Sequence, residues 1–183
     1  MNLDTDAGRL TVVRAVSADY DAVMAILREA ADWLSARGIQ QWYHWHTDVG
    51  ERILRERIEH HEVYLFQRGE VPVGTLTIQW TDADVWGERG IDGLAGYVHG
   101  MAFARSLGGM RVGERMLEWA VDTIAARGRR LARLDAMASN ALLCRYYEQR
   151  GFQPRGTATL LAGIYTAKLF ERQTGIHAMT MLE

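Results

Sequence analysis

Apolar residues along the chain switch between a spacing of two and a spacing of three to four, and the switches mark a succession of strands and helices. Leu10–Val16 (LTVVRAV) is short and β-branched and predicts a first strand. Ser17 offers an N-cap for a helix over Asp19–Ala36, where Val23, Ile26, Leu27, Ala30, Trp33 and Leu34 share one face before Gly38 stops it. Ile39–His46 (IQQWYHWH) is aromatic and polar at once and reads as a loop. A second helical piece over Val49–His60 aligns Val49, Ile53, Leu54 and Ile58. Glu62–Arg68 and Val73–Trp80 then flank Gly69–Glu70 as a hairpin, and Thr81–Gly93, rich in Asp and Gly, reads as loop.

The second half is more regular. Gly96–Ala104 is a strand with Gly100 in its middle, where a bulge or a close backbone approach is expected. Gly109–Ala126 has the clearest helical periodicity, with Val112, Met116, Leu117, Ala120 and Ile124 on its apolar face and Gly128 after its end. Leu131–Met137 is a strand, Asn140–Arg150 a helix closed by Gly151, and strands follow around Gly156–Leu161 and Tyr165–Glu171. Hairpins first and a βαβ crossover second predict a mixed α/β sheet with helices on both faces. The domain is expected to span residues 1–173. The tail over 174–183 carries apolar side chains expected to dock on the domain or on the partner subunit of a homodimer.

Composition narrows the function classes. The chain has 183 residues, 48% hydrophobic and 24% charged, which suits one globular domain with a core. A formal net charge of −2 gives no broad surface for nucleic acid or anionic membrane. No secretory signal and no membrane-spanning run are read, so a cytoplasmic protein is expected. Cys144 is the only cysteine, which excludes an internal disulfide and a thiolate metal site. His44 with His46, and His60 with His61, lack i, i+4 spacing and a carboxylate partner, so no metal is expected. The arginines at 127, 129, 130 and 133 follow a helix end and read as a solvated face.

The chemistry concentrates between Gly96 and Arg150. A strand, a glycine-bearing turn and a helix start present main-chain N–H groups and the positive helix end, which together hold phosphate. Arg111 and Arg115 add candidate charge-assisted bonds. The turn has no Gly-Lys-Ser/Thr, so a nucleotide triphosphate is not its expected ligand.

The run YVHGMAFARSLGGMRVGERMLEW from Tyr97, with RLDAMASNALLCRYYEQRGFQPRG after it, resembles the GNAT superfamily of acyl-CoA-dependent N-acetyltransferases. The resemblance extends loosely from Leu10 to Arg172. It implies a central, mostly antiparallel twisted sheet of about six to seven strands. It also implies acetyl-CoA as cosubstrate, with the superfamily's pyrophosphate loop falling on Gly108, Gly109, Met110, Arg111, Val112 and Gly113, and Glu114 beside it. Two positions depart: Gly108 replaces the usual Gln/Arg, and Arg111 the middle glycine. The ending Asn140…Tyr146-Tyr147-Glu148-Gln149-Arg150-Gly151-Phe152 matches a second motif. By that match Tyr147 sits near the thioester sulfur and Asn140 touches pantetheine or phosphate, with Tyr146 alongside. Backbone at Met101, Ala102 and Phe103 would meet the pantetheine amides.

The expected reaction is direct attack of a primary amine, on a small molecule or peptide, on the acetyl carbonyl. Tyr147 is the candidate acid. His99 is the candidate base, with a water chain as the alternative. Trp42, Tyr43, His44 and Trp45 form the expected acceptor wall, and Trp86 sits in a loop expected to close over it. The alternative function is a CoA-binding sensor or regulatory module without turnover.

Overall fold

The structure, a computed structural model, describes residues 1–160 and 165–175. The strands are β1 (Asn2–Thr5), β2 (Gly8–Arg14), β3 (Glu62–Arg68), β4 (Val71–Gln79), β5 (Ala95–Phe103), β6 (Leu131–Met137), β7 (Gln153–Leu160) and β8 (Tyr165–Gln173). The α-helices are α1 (Tyr20–Ser35), α2 (Asp48–His60), α3 (Ala83–Trp86), α4 (Val112–Ala126) and α5 (Ala141–Glu148). The sheet order is β1-β2-β3-β4-β5-β6-β8-β7. Five neighbouring pairs are antiparallel: β1/β2, β2/β3, β3/β4, β6/β8 and β7/β8. The fold is therefore mixed α/β with a mostly antiparallel sheet, and its eight strands exceed the six to seven expected.

The added strand is β1. Its residues NLDT are too short and polar to show a period, and the hairpin is made by Gly8 at φ +96° with the Thr5 hydroxyl donating to the Gly8 carbonyl at 2.7 Å. Glycines in the left-handed region do stop α1 (Gly38, +72°) and turn the β3–β4 hairpin (Gly69, +63°). Thr81–Gly93 is not all loop: α3 and a 3₁₀ turn over Gly87–Ile91 occupy it.

The chain divides into two compact units, Met1–Gln79 with Val98–Trp119, and Trp80–Tyr97 with Ala120–Glu183. In the first unit, α1 buries Val23, Met24, Ile26, Leu27, Ala30 and Ala31 with Trp45, Leu54, Val63, Leu65 and Ala102. In the second, Trp86, Ala95, Tyr97, Ala167 and Leu169 pack together. Arg133 corrects an expectation there. It is 3% exposed rather than solvated, bonded to Glu171 and Asp92 at 2.9 Å each, to the Tyr97 hydroxyl at 3.0 Å and to the Arg89 carbonyl. Burial opposes its charge, but hydrogen bonds to Glu171, Tyr97 and Asp92 more than offset that and keep it protonated. The expected tail falls outside the described residues from position 176 onward.

Candidate active site

In the first unit, β5 runs through a 3₁₀ turn at Arg105–Leu107 into α4. The turn is closed by Gly108 N–H donating to Arg105 O at 3.0 Å and Met110 N–H to Leu107 O at 3.2 Å, with Leu107 buried beneath. Gly109 and Arg111 are then both left-handed, at φ +80° and +53°. The helix starts at Val112, three residues later than its periodicity suggested, and its first bond is Arg115 N–H to Arg111 O at 3.1 Å. Alternating handedness turns successive amides the same way, as in an anion nest. Among the described residues, the N–H groups of Gly109, Arg111, Val112 and Gly113 donate to no backbone carbonyl. Residues 108–111 are exposed, and nothing lies within 4 Å of a Cβ built on Gly109. Unbonded amides at a helix start, on exposed backbone at 109 and 111 and at buried Val112 and Gly113, fit a diphosphate.

The arginines behave differently from expectation. The Arg111 guanidinium donates to Glu114 Oε1 at 2.6 Å, and Arg115 Nε donates to Asp4 O at 3.0 Å. Main chain rather than these side chains is left without partners in the turn. Arg111 stands where the superfamily's pattern has glycine, and its φ shows why glycine suits that position.

Along β5, His99 and Met101 are half-buried and Ala102 is buried, and Gly100 between them is left-handed at φ +57°. A Cβ there would meet Arg57 Nη1 at 3.2 Å. The Phe103 carbonyl accepts from Arg105 Nε at 3.0 Å, so that acceptor is already used. His61 lies within electrostatic reach of His99, and its own pKa is lowered by burial first and Arg57 next.

In the second unit, Asn140 caps α5, its Oδ1 accepting from Leu143 N–H at 3.2 Å. Tyr147 is 7% exposed, held edge-on by Phe152 and Tyr146 at centroid distances of 6.0 and 5.5 Å and tilted against Phe170 at 5.8 Å. Burial, then Tyr146 and Asp135, push its pKa up, so the phenol keeps its proton through the neutral range. Tyr146 is half-buried beneath the Arg150 guanidinium, 3.7 Å from its ring centroid.

The aromatic loop is a 3₁₀ turn over Tyr43–His46. Tyr43 is 76% exposed, Trp42 is partly buried at φ +67°, and His44 has its pKa lowered by burial and then by Arg57. Trp45 is instead a core residue, 1% exposed. Trp86 likewise is 3% exposed, in the core of the second unit rather than on a closing loop. Both indoles are amphipathic enough to read as surface in sequence, yet apolar contact dominates. Among the described residues, no group of three or more His, Cys, Asp or Glu could hold a metal ion. No helix there is long and apolar enough to cross a membrane.

A mostly antiparallel sheet, one strand of which runs through an amide-rich turn into a helix, is the architecture of acyl-CoA-dependent acetyltransferases. The chain belongs to the acetyltransferase (GNAT) family, whose profile matches residues 26–152. It is 27% identical over 147 residues to YesJ of Bacillus subtilis (strain 168), an uncharacterized N-acetyltransferase, covering 78% of this chain and 81% of the relative. A GNAT-family acetyltransferase from Listeria monocytogenes superposes with a TM-score of 0.77 at 26% identity, over 94% of this chain and 99% of that one. PaiA N-acetyltransferase from Thermoplasma acidophilum, solved with coenzyme A, shares the fold at a TM-score of 0.63 and 11% identity, over 90% of this chain and 98% of that one.

Proposed function

We propose that the protein transfers an acetyl group from acetyl-CoA to a primary amine of a small molecule or peptide by direct attack. The observation that carries this reading is the turn from Gly108 to Gly113, where left-handed backbone at Gly109 and Arg111 leaves four N–H groups without backbone acceptors among the described residues. Acetyl-CoA supplies an acetyl carbon activated as a thioester. The amides of Gly109, Arg111, Val112 and Gly113 bind its diphosphate, and Met101–Phe103 with Asn140 and Tyr146 hold the pantetheine arm. Within Met101–Phe103 the N–H groups do this work, because Arg105 occupies the Phe103 carbonyl.

The acceptor must attack as the neutral amine, so its proton goes to His99 or, in its place, to a water chain. A β5 N–H near Met101 steadies the developing oxyanion. Tyr147 gives its proton to the departing sulfur. Its upward-shifted pKa keeps the phenol protonated at rest but makes it a weaker acid, so the transfer requires that the same burial raise the basicity of the thiolate. Trp42, Tyr43 and His44 form the acceptor wall, without Trp45 and Trp86.

Incubation with acetyl-CoA and a panel of amines, followed by free-thiol release, tests the reading. Acceptor-dependent thiol release supports transfer. Saturable CoA binding with no release across the panel would instead make the protein a sensor or regulatory module.

A further inference from the structure

Arg105 opens the turn that leads into the amide cradle, and its side chain folds back onto the first unit. Its guanidinium carbon lies 4.4 Å from the Phe103 ring centroid and 5.1 Å from that of Trp33. Arg37, in the turn after α1, lies over the same indole at 3.8 Å. One indole thus carries two guanidinium groups. Their donors reach carbonyls only: Arg37 Nη1 to Trp33 O at 3.2 Å, and Arg105 Nε to Phe103 O at 3.0 Å. Glu29 is the neighbouring carboxylate, and it accepts from the Arg105 main-chain N–H at 2.9 Å. Arg9, Arg28, Arg111, Arg133 and Arg155 each have a carboxylate partner, while Arg89, Arg115 and Arg129, like this pair, donate to carbonyls. Arg105 is half-buried and Arg37 exposed, and two like charges on one ring repel each other until a dianion shares them. Burial lowers the Arg105 pKa most, Glu29 opposes that shift and Arg37 adds to it.

We propose that Arg37 and Arg105, braced on Trp33, bind the 3′-phosphate of coenzyme A. This rests on the acetyl-CoA reading above. Two planar cations match a phosphate monoester dianion better than a single carboxylate, and guanidinium forks suit its oxygens. The chain runs directly from Arg105 into the diphosphate cradle at Gly109, so one ligand with three phosphates engages both. Trp33 holds the two forks by cation–π contact and offers a flat apolar surface beside them.

Calorimetric titration of the full chain with CoA and with dephospho-CoA tests this. Wild type binds CoA about tenfold more tightly than dephospho-CoA, the worth of one charge-assisted contact. Arg37→Gln, an exposed position, brings the two affinities to within about twofold by weakening CoA alone, and Arg37→Lys restores part of the difference. Equal affinities in wild type overturn the proposal and leave the acetyl-CoA reading intact, since both ligands still bind. A preference that persists in both Arg37→Gln and Arg105→Gln overturns it as well. If Arg37→Gln spares CoA but raises KM for a carboxylate-bearing amine, the anion belongs to the acceptor and the assignment fails. Heat with neither ligand removes this proposal together with the reading beneath it.

Discussion

Tyr147 combines a buried ring, a raised pKa and a place on α5 one turn before the Gly151 stop. Tyr147→Phe keeps the ring packing and removes only the proton. Turnover is expected to fall about 100-fold, while the acetyl-CoA dissociation constant moves less than about threefold. Stopped-flow thiol release and a binding titration on the same variant separate the two. His99→Gln is expected to erase the acidic limb of the kcat/KM profile, and a retained limb would transfer the role to a water chain or to another group. Arg111→Gly is expected to raise the melting temperature by a few degrees, because glycine enters φ +53° without Cβ strain. At this scale the sequence showed residue type but not direction. Tyr43, His44 and Trp45 lie side by side in one aromatic run, yet Tyr43 faces solvent and Trp45 the core. Only the 3₁₀ turn decides which ring points inward, and no period marks a turn that short.

Elements were legible where apolar periods were long. α1 and α4, with four turns each, appear within three residues of their expected limits. The start of α4 was misplaced because glycine and methionine at 109 and 110 extend its pattern, while the backbone there is a nest rather than a helix. β1 was missed because four residues with a single leucine among them carry no period. The turn holding the aromatic loop has a second lock: a Cβ on Gly50, in α2, would lie 2.2 Å from the His44 carbonyl oxygen. Gly50→Ala is therefore expected to destabilise by about 1–3 kcal/mol through forced displacement of that turn, read as a loss of denaturant midpoint. Arg133→Met tests the other unit. It strands Asp92 and the Tyr97 hydroxyl, leaves Glu171 with Arg155 alone, and is expected to cost about 3 kcal/mol. A cost under about 1 kcal/mol would return Arg133 to the solvated face that its neighbours suggested.

For the whole molecule, burial raises the pKa of Tyr147, Tyr165 and Tyr97 above the ordinary 10.0. The folded form then holds these protons more tightly than the unfolded chain. Their contribution to stability is complete below pH about 10 and declines as pH rises through the shifted values. Alkaline unfolding with phenolate absorbance appearing in the same transition is expected. Phenolate forming well before unfolding would mean that these rings are wetter than they look. The central claim is that the amides of Gly109, Arg111, Val112 and Gly113 hold a diphosphate, and titration of the protein with CoA at low salt tests it most directly. The account predicts saturable binding in which the amide signals of Gly109, Arg111, Val112 and Gly113 shift in nitrogen–proton spectra. Saturable binding that leaves those four signals unmoved, or no binding at all, would contradict it.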